Sequence, residues 1–210
     1  MVKVITFNYG GEELLSNTYL LIDSDKKTVV VDPSKNYLGI SEYIEKNELK
    51  LTGVFLTHGH FDHFQGVDIL TSKYKVPLFC HFEEIEKLTS PKLNCSTLLN
   101  RSETVCSIPK ALRDGEIIKN LLDENIKVIH TPFHTSGSVC YYLKRSKILI
   151  SGDTLFRFTI GRSDLPTSSP ETTFSSLKKL KDLPDDVVVY PGHGQKTLIG
   201  FEKAHNSAMK

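Results

Sequence analysis

Short apolar runs alternate with helical patterns along most of the chain. Nine runs, many of them β-branched or aromatic and bounded by turn residues, predict strands, at residues 2–9, 18–22, 28–31, 51–56, 76–80, 126–130, 139–143, 148–150 and 187–190. Apolar positions at helical spacing predict helices over residues 38–48, 64–73, 83–88 and 169–180. For the last helix, Ser168 is the predicted N-cap and Glu171 completes a capping box. This alternation indicates an α/β fold with helices layered outside a pair of sheets.

The length and charge of the chain restrict its class. We expect one domain spanning residues 1–210. A net charge of +1 gives no electrostatic reason to expect a nucleic acid or an anionic membrane as partner. No apolar run approaches the roughly 18 residues that span a bilayer, and the first residues lack a signal-peptide pattern. We therefore expect a cytoplasmic protein with no membrane partner; its oligomeric state is left open.

The four cysteines do not form a C-x-x-C pair. Cys80 and Cys140 lie in apolar, strand-like contexts, which predicts that they are buried small hydrophobic residues. Cys95 and Cys106 lie in the irregular stretch 89–110, which we expect to be a surface excursion. Those two cysteines are candidates for pairing, but an intracellular setting favours free thiols.

The densest chemical signal is the segment Thr57-His58-Gly59-His60-Phe61-Asp62-His63, with three histidines and one aspartate in six consecutive positions. Imidazole nitrogens and carboxylate oxygens together suit zinc, iron or manganese. The segment follows the predicted strand 51–56, and a loop at the end of a strand is held rigidly while it stays open to substrate. The sequence therefore predicts a metal site; the alternative is a histidine-rich surface loop.

Later predicted strands also end in candidate ligands. His134 follows strand 126–130, Asp153 follows strand 148–150 and His193 follows strand 187–190. Small residues or prolines beside each ligand allow the backbone to turn tightly toward a common point. Together with the first segment they make seven candidate ligands, more than a single catalytic metal takes from protein. The set therefore predicts two metal ions.

The ordered set resembles the metallo-β-lactamase-fold hydrolases, whose signature is His-x-His-x-Asp-His followed by separate His, Asp and His ligands. The resemblance covers nearly the whole chain and implies an αββα four-layer sandwich with the metal site at one edge of the two sheets. It implies one metal held by His58, His60 and His134 and a second held by Asp62, His63 and His193. Asp153 would bridge the two ions. Zinc is the expected metal, with iron and manganese as alternatives.

The implied chemistry is hydrolysis by a hydroxide that the two metals share, directed at a carbonyl that one of them polarises. Asp62 and Asp153 are the predicted catalytic residues. Asp62 would orient the nucleophile, its alternative being a purely structural role. Asp32, at the end of strand 28–31, is expected to brace the metal loop by hydrogen bonds and not to contact a metal.

Three further segments resemble the short glyoxalase II-like, or hydroxyacylglutathione hydrolase-like, proteins: 152–156, 161–165 and 191–194. The implied substrate is a small-molecule thioester such as S-lactoylglutathione, which yields an acid and a thiol. An aspartate at position 153 argues against true β-lactamases, several of which use cysteine there. Only 17 residues follow His193, so the C-terminal helical region by which full-length glyoxalase II binds glutathione is not expected. Phe133 replaces a common glycine and is expected to crowd the pocket or shift the loop.

Other functions remain open. A mononuclear iron persulfide dioxygenase shares the segment 161–164, although that group usually has Pro-Ala-His where residues 191–193 read Pro-Gly-His. A lactonase, another metallo-hydrolase of this fold or a non-enzymatic metal-binding scaffold are further alternatives. Arg157 and Arg162 are candidates for binding a substrate carboxylate, for bracing the loop or for a surface role. His130 is expected to be satisfied and partly buried, and His81 and His205 show no partner.

Overall fold

The computed structural model describes residues 1–8, 16–35, 37–98 and 103–210. Within these ranges the chain forms two six-stranded sheets. The first sheet contains β1 (Lys3–Asn8), β2 (Asn17–Ile22), β3 (Lys27–Val31), β4 (Lys50–Phe55), β5 (Leu78–His81) and β6 (Lys110–Leu112). The second contains β7 (Ile117–Ile118), β8 (Ile126–His130), β9 (Val139–Leu143), β10 (Ile148–Gly152), β11 (Val188–Pro191) and β12 (Thr197–Leu198). The helices are α1 (Tyr37–Lys46), α2 (Val67–Tyr74), α3 (Ile85–Thr89), α4 (Thr173–Lys181) and α5 (Ile199–His205).

Both sheets are mixed. In the first sheet β1, β2 and β3 pair antiparallel, whereas β3, β4, β5 and β6 pair parallel. In the second sheet β10 and β11 pair parallel and the remaining neighbours pair antiparallel. Parallel neighbours end at the same edge of a sheet, so the residues that follow β10 and β11 emerge side by side. Asp153 and His193 are two of these residues.

Three apolar clusters separate four layers. The inner cluster fills the space between the two sheets, and an outer cluster on each side packs helices against a sheet. The first outer layer contains α1, α2 and α3, and the second contains α4 and α5. This arrangement confirms the predicted αββα layers. Representative inner residues are Tyr19, Val31, Phe55, Tyr141, Leu143 and Ile150.

Most predicted elements form near their predicted positions, whereas α5 and three short strands were not predicted. The second helix begins at Val67, not at Phe64, because residues Phe61–His63 form a turn of 3-10 helix. The predicted helix over 83–88 is divided into a 3-10 turn, Phe82–Glu84, and α3. Strands β6, β7 and β12 have three residues or fewer, too short for a periodic pattern.

The predicted capping box at Ser168 and Glu171 is wrong. The segment begins as a 3-10 turn, Pro170–Thr172, with Ser169 at its N-cap position and no side-chain capping bond. The Ser168 hydroxyl instead donates to the carbonyl of His134 at 2.8 Å and accepts from the backbone N–H of Leu165 at 3.2 Å. Ser168, which the sequence pattern assigns to the start of a helix, therefore holds the loop that carries the candidate ligand His134.

Of the two alternatives for Phe133, crowding of the pocket is wrong, whereas a shift of the loop stays a prediction. The side chain of Phe133 is fully buried in the outer cluster that packs α4 and α5 on the second sheet, so it fills core space and not the pocket. All four cysteines are free and buried, which confirms the predictions for Cys80 and Cys140. Among the described residues, no helix is long and apolar enough to cross a membrane.

Candidate metal centre

Four loops converge at one edge of the two sheets. They follow β4, β8, β10 and β11, the strands after which the sequence places candidate ligands. The structure brings these side chains into groups whose ligand atoms lie within 4.8 Å of one another: His58, His60 and His134; Asp62, His63 and His193; and His58, His63 and Asp153. All seven predicted ligands therefore lie in one cluster.

In the first group, His58 and His134 each use one imidazole nitrogen for a contact with the surrounding chain. Nδ1 of His134 donates to the carbonyl of Arg162 at 2.8 Å, which leaves Nε2 as the lone-pair nitrogen. That Nε2 lies 2.9 Å from Nδ1 of His60. Nδ1 of His58 lies 3.1 Å from the Thr57 hydroxyl, and its Nε2 is buried with no hydrogen-bond partner in the described chain. Each imidazole thus turns one nitrogen toward the others.

The second group contains more negative charge. Nε2 of His193 lies 3.5 Å from Oδ2 of Asp62 and 3.4 Å from Nε2 of His63. Nδ1 of His63 is hydrogen-bonded at 3.0 Å to Asp32, which fixes the ring so that Nε2 faces the cluster. The group offers two imidazole nitrogens and one carboxylate.

Asp153 lies between the two groups. Its Oδ2 is 3.4 Å from Nε2 of His134 in the first group and 3.4 Å from Nε2 of His193 in the second. Its Oδ1 is 3.6 Å from Nε2 of His63 and, within the described residues, accepts no hydrogen bond. This is the position that a bridging carboxylate requires.

These residues fit divalent metal ions. Two ligands bound tetrahedrally at about 2.1 Å from zinc lie about 3.4 Å apart, close to the separations of 2.9 to 3.6 Å between neighbouring ligand atoms here. A buried polar atom without a partner costs free energy. The two that the centre contains, Nε2 of His58 and Oδ1 of Asp153, would be satisfied by a cation.

The ionisation of the cluster also favours a cation. Burial, together with the nearby His63, holds the pKa of His58 well below its usual value, so its imidazole is neutral and free to bind metal. Burial opposes the charged form of Asp153, yet His193 and His63 hold the pKa of that carboxyl well below its usual range. Burial likewise opposes protonation of His63, but Asp62 and Asp153 raise its pKa to about 10. The same negative charge attracts a metal ion that competes with this proton.

Asp32 braces the start and the end of the histidine segment. Its Oδ1 accepts from the backbone N–H of Thr57 at 2.8 Å, and its Oδ2 accepts from the Thr57 hydroxyl at 2.7 Å and contacts His63. Asp32 is buried and does not appear in any of the ligand groups of the described chain. The prediction that Asp32 supports the loop by hydrogen bonds is confirmed.

Glu84 is a support that the sequence did not predict. Its buried carboxylate accepts from the backbone N–H of Gly59 at 2.6 Å and from that of Gly137 at 2.7 Å. Lys87 lies 3.0 Å from the same carboxylate and donates to the Ser136 hydroxyl at 2.8 Å. Glu84 therefore ties the His58–His63 loop to the His134 loop. Glu84 lies within a predicted helix, and no residue pattern near it in the sequence indicated this supporting role.

The His193 loop is held from the other sheet. The side-chain amide of Asn17 donates to the carbonyls of Pro191 and Gly194, both at 2.9 Å. The Tyr19 hydroxyl donates to the same Pro191 carbonyl at 2.6 Å. These contacts join residues more than 170 positions apart, so no spacing in the sequence indicates them.

A small cavity opens onto the cluster. It has a volume of about 150 Å³ and is lined by His60, Phe61, Asp62, Cys95, Leu98, His134, Asp153, Arg162, Leu165 and His193. Cys95 and Leu98 belong to the stretch 89–110, which therefore packs beside the site and is more than the expected surface excursion. Asn94 anchors this stretch, because its carbonyl accepts from the backbone N–H of Phe61 at 3.0 Å. Residues 99–102 lie outside the described residues.

The two candidate substrate-binding arginines occupy different places. Arg162 lines the cavity, and its exposed guanidinium pairs with Asp164 at 2.6 and 2.8 Å. Arg157 lines a separate cavity, where it donates to Gln195 at 2.7 Å and packs over the ring of Phe201 at 5.5 Å. Only Arg162 is placed to contact a molecule in the cavity beside the cluster.

Two mixed sheets enclosed by helices, with histidines and aspartates converging at their shared edge, define a metal-dependent hydrolase. Residues 11–193 match the family model of the metallo-beta-lactamase superfamily. The chain therefore belongs to the metallo-β-lactamase superfamily, as the order of its ligands predicted.

Two relatives of nearly the same length support this assignment. "Probable metallo-hydrolase YqgX" of Bacillus subtilis is 35% identical over 192 residues, which cover 91% of this chain and 90% of the relative. "Hydroxyacylglutathione hydrolase GloC" of Haemophilus influenzae is 32% identical over 193 residues, which cover 90% and 91% respectively. The predicted likeness to glyoxalase II-like proteins is thus confirmed at the level of family.

Solved structures confirm the fold. A structure described as BLEG-1 B3 metallo-beta-lactamase has a TM-score of 0.90 and 32% identity, covering 98% of this chain and 100% of its own. TTHA1623 in a di-iron-bound form has a TM-score of 0.85 and 29% identity, covering 96% and 98%. ETHE1 from Myxococcus xanthus has a TM-score of 0.76 and 26% identity, covering 97% and 83%. The fold is the metallo-β-lactamase fold, which binds divalent metals.

Proposed function

We propose that the protein is a binuclear thioester hydrolase of glyoxalase II type that converts a small thioester such as S-lactoylglutathione into an acid and a thiol. The observation that carries this proposal is the position of Asp153, whose carboxylate lies 3.4 Å from His134 of one group and 3.4 Å from His193 of the other. A carboxylate placed between two sets of three ligands suits a pair of ions. Zinc is the proposed metal, since nitrogen and oxygen ligands suit it.

Each group of the centre has a role in this reaction. Bound divalent ions supply Lewis-acid polarisation of the thioester carbonyl and lower the pKa of water toward neutrality. The ligand histidines and Asp153 would hold these ions beside the point where negative charge develops on the substrate. Asp62 lines the cavity and its Oδ2 lies 3.5 Å from His193, which supports a role for this carboxylate in orienting the attacking water.

The cavity favours a small acyl group. Its lining includes the apolar side chains of Phe61, Leu98 and Leu165 in addition to the ligand side chains. A volume of about 150 Å³ accommodates the acyl group near the metals while the thiol carrier extends toward the exposed side. Arg162, at the exposed rim, is placed to bind a carboxylate of that carrier. The similarity to the relative named as a hydroxyacylglutathione hydrolase supports the same substrate class.

The cellular setting follows from the cysteines. Four free thiols fit a reducing compartment, and we place the protein in the cytoplasm. We propose no nucleic-acid partner, since the net charge is only +1.

The test is thiol release from S-lactoylglutathione by protein loaded with zinc. His60→Ala removes a ligand of the first group and is expected to lower kcat at least 1,000-fold. His205→Ala changes an exposed histidine outside the ligand groups and serves as the matched control. Absence of thiol release from all thioesters tested, with metal bound, would overturn the proposal; hydrolysis of a cephalosporin instead would assign a β-lactamase.

A second candidate is a mononuclear iron persulfide dioxygenase. One observation favours it: Arg162, in the segment 161–164 that resembles this group, lines the cavity. The convergence of Asp62, His63 and His193 into a second ligand group favours two ions over one. Protein that retains a single iron per chain at this centre and consumes oxygen with glutathione persulfide would establish this alternative.

A further inference from the structure

A second histidine cluster lies outside the hydrolase centre. His81 ends β5 in the first sheet and His130 ends β8 in the second sheet. Their rings stack with centroids 4.1 Å apart and an interplanar angle of 19°. Neither residue belongs to the seven candidate ligands described above. The pair therefore joins the two sheets at a point where the sequence indicated no partner for His81.

His81 has an unsatisfied nitrogen. Its side chain is only 1% exposed, and within the described chain its Nδ1 has no hydrogen-bond partner. An imidazole nitrogen buried in this way costs free energy unless it finds a donor or a cation. Burial and the adjacent His130 lower the pKa of His81 to about 4, so at neutral pH the ring is uncharged and keeps a lone pair.

His130 also keeps a lone pair on one of its two ring nitrogens. Its Nε2 lies 2.8 Å from the carbonyl of Ser136, an oxygen that can only accept, so Nε2 carries the proton. The lone pair is therefore on Nδ1. A histidine that donates one N–H to a backbone carbonyl and presents the other nitrogen is a common arrangement for metal ligands. The prediction that His130 is satisfied and partly buried is confirmed.

Glu83 supplies a negative charge beside the pair. It lies two positions after His81, in the 3-10 turn Phe82–Glu84, and its side chain is exposed. One ligand atom from each of His81, Glu83 and His130 lies within 4.8 Å of the others. Because Glu83 is exposed, its carboxylate is free to move closer to a bound ion.

Positive charge also lies near the pair: after burial and His130, Lys87 and Arg113 add to the lowering of the pKa of His81. Lys87 is paired with Glu84 at 3.0 Å, and Lys179 is paired with Asp114 at 2.9 Å. Both ammonium groups are thus offset by a carboxylate. The carboxylate of Glu83 remains to balance the ion.

We propose that His81, Glu83 and His130 form a third metal site, which binds a divalent transition-metal ion such as Zn²⁺ and ties the two sheets together. Two imidazoles and one carboxylate are a ligand set that zinc accepts, with water completing the coordination. An ion at this site contacts only the folded arrangement, because β5 and β8 are brought together by folding. Binding therefore stabilises the native state by an amount that grows with the logarithm of the free zinc concentration once that concentration exceeds Kd.

The direct test is a crystal of the zinc-loaded protein measured above and below the zinc absorption edge. We expect an anomalous peak between His81, Glu83 and His130, in addition to peaks at the hydrolase centre. In Glu83→Gln the peak at the third site is expected to weaken or vanish while the others remain. Peaks at the hydrolase centre with none at His81 would overturn the proposal.

A solution measurement gives a second readout. After dialysis against a small excess of zinc, elemental analysis should show one equivalent less in His81→Gln than in the wild type. His205→Gln, the same change at an exposed histidine, should retain the wild-type amount. If His81→Gln does not fold, Glu83→Gln replaces it, with the zinc-induced rise in Tm reduced. Equal zinc content and equal Tm shifts in the wild type and in the folded variants would contradict the third site. Neither measurement depends on thioester hydrolysis.

Discussion

The carboxylate of Asp32 lies 3.0 Å from Nδ1 of His63, and both side chains are buried. Because the same carboxylate also accepts from the backbone of Thr57, it fixes the histidine segment at both ends. Strand β3, which ends at Val31 just before Asp32, pairs with β4, which precedes the segment. The orientation of the ligands is thus set by the sheet beneath them.

Asp32→Asn tests this support. The amide keeps the shape but removes the charge that orients His63, so metal affinity is expected to fall about 10- to 100-fold. Competition with a chelating indicator measures the affinity directly. Asp25→Asn, at an exposed turn position, is the control and should bind metal like the wild type. An unchanged affinity in Asp32→Asn would show that His63 is oriented by other contacts.

Glu84→Gln tests the tie between the two histidine loops. An amide in place of this carboxylate keeps one acceptor oxygen for the N–H groups of Gly59 and Gly137 and leaves Lys87 without its ion pair. We expect a loss of about 1–3 kcal/mol in the free energy of unfolding, measured in urea, together with a lower kcat. Glu86→Gln, two positions further on and exposed, should change neither quantity. If Glu84→Gln is as stable as the wild type, Glu84 does not tie the two histidine loops together.

Gly192→Ala tests the close approach beside the bridging carboxylate. A Cβ at this position would lie 2.1 Å from Oδ1 of Asp153 and 2.8 Å from Cε1 of His63. The methyl group must displace Asp153, so metal content and activity should both be lost. Gly115→Ala is the contrasting variant, because a Cβ at position 115 would meet no atom within 4 Å. The φ of +76° at this position makes the substitution mildly destabilising. Retention of metal by Gly192→Ala would contradict the observed packing.

The raised pKa values of the buried cysteines predict slow thiol reactivity in the native protein. Burial raises the pKa of Cys106 to about 12 and that of Cys140 to about 11, so their thiolate fractions at pH 8 are very small. We expect slow reaction of the native protein with a disulfide reagent and rapid reaction of all four thiols after unfolding. Cys95, which lines the cavity, should react first. Rapid modification of Cys140 in the native protein would contradict its burial.

The convergence of the candidate ligands was predictable because their loops follow apolar strands. His134, Asp153 and His193 occupy loops whose positions are determined by β8, β10 and β11, so strand order alone brings them together. The layers were predictable for the same reason, since apolar periodicity reports which faces are buried.

The supports were not predictable because their partners are distant in sequence. Glu84 bonds to Gly59 and Gly137 across two loops, and Asn17 reaches the His193 loop from the other sheet. Ser168 matched a capping pattern, but its hydroxyl is engaged by the carbonyl of His134. Each of these hydrogen bonds joins residues whose partners a pattern read along the chain does not identify.

The central claim is that the cluster around Asp153 hydrolyses thioesters with bound metal. Thiol release from S-lactoylglutathione, followed after the metal is removed by a chelator and then restored, tests it most directly. We predict that activity disappears with the metal and returns on reconstitution in the wild type, whereas Asp153→Asn stays at least 1,000-fold slower under the same conditions. Turnover that persists in protein shown by elemental analysis to contain no metal, or that is equal in Asp153→Asn, would contradict the account.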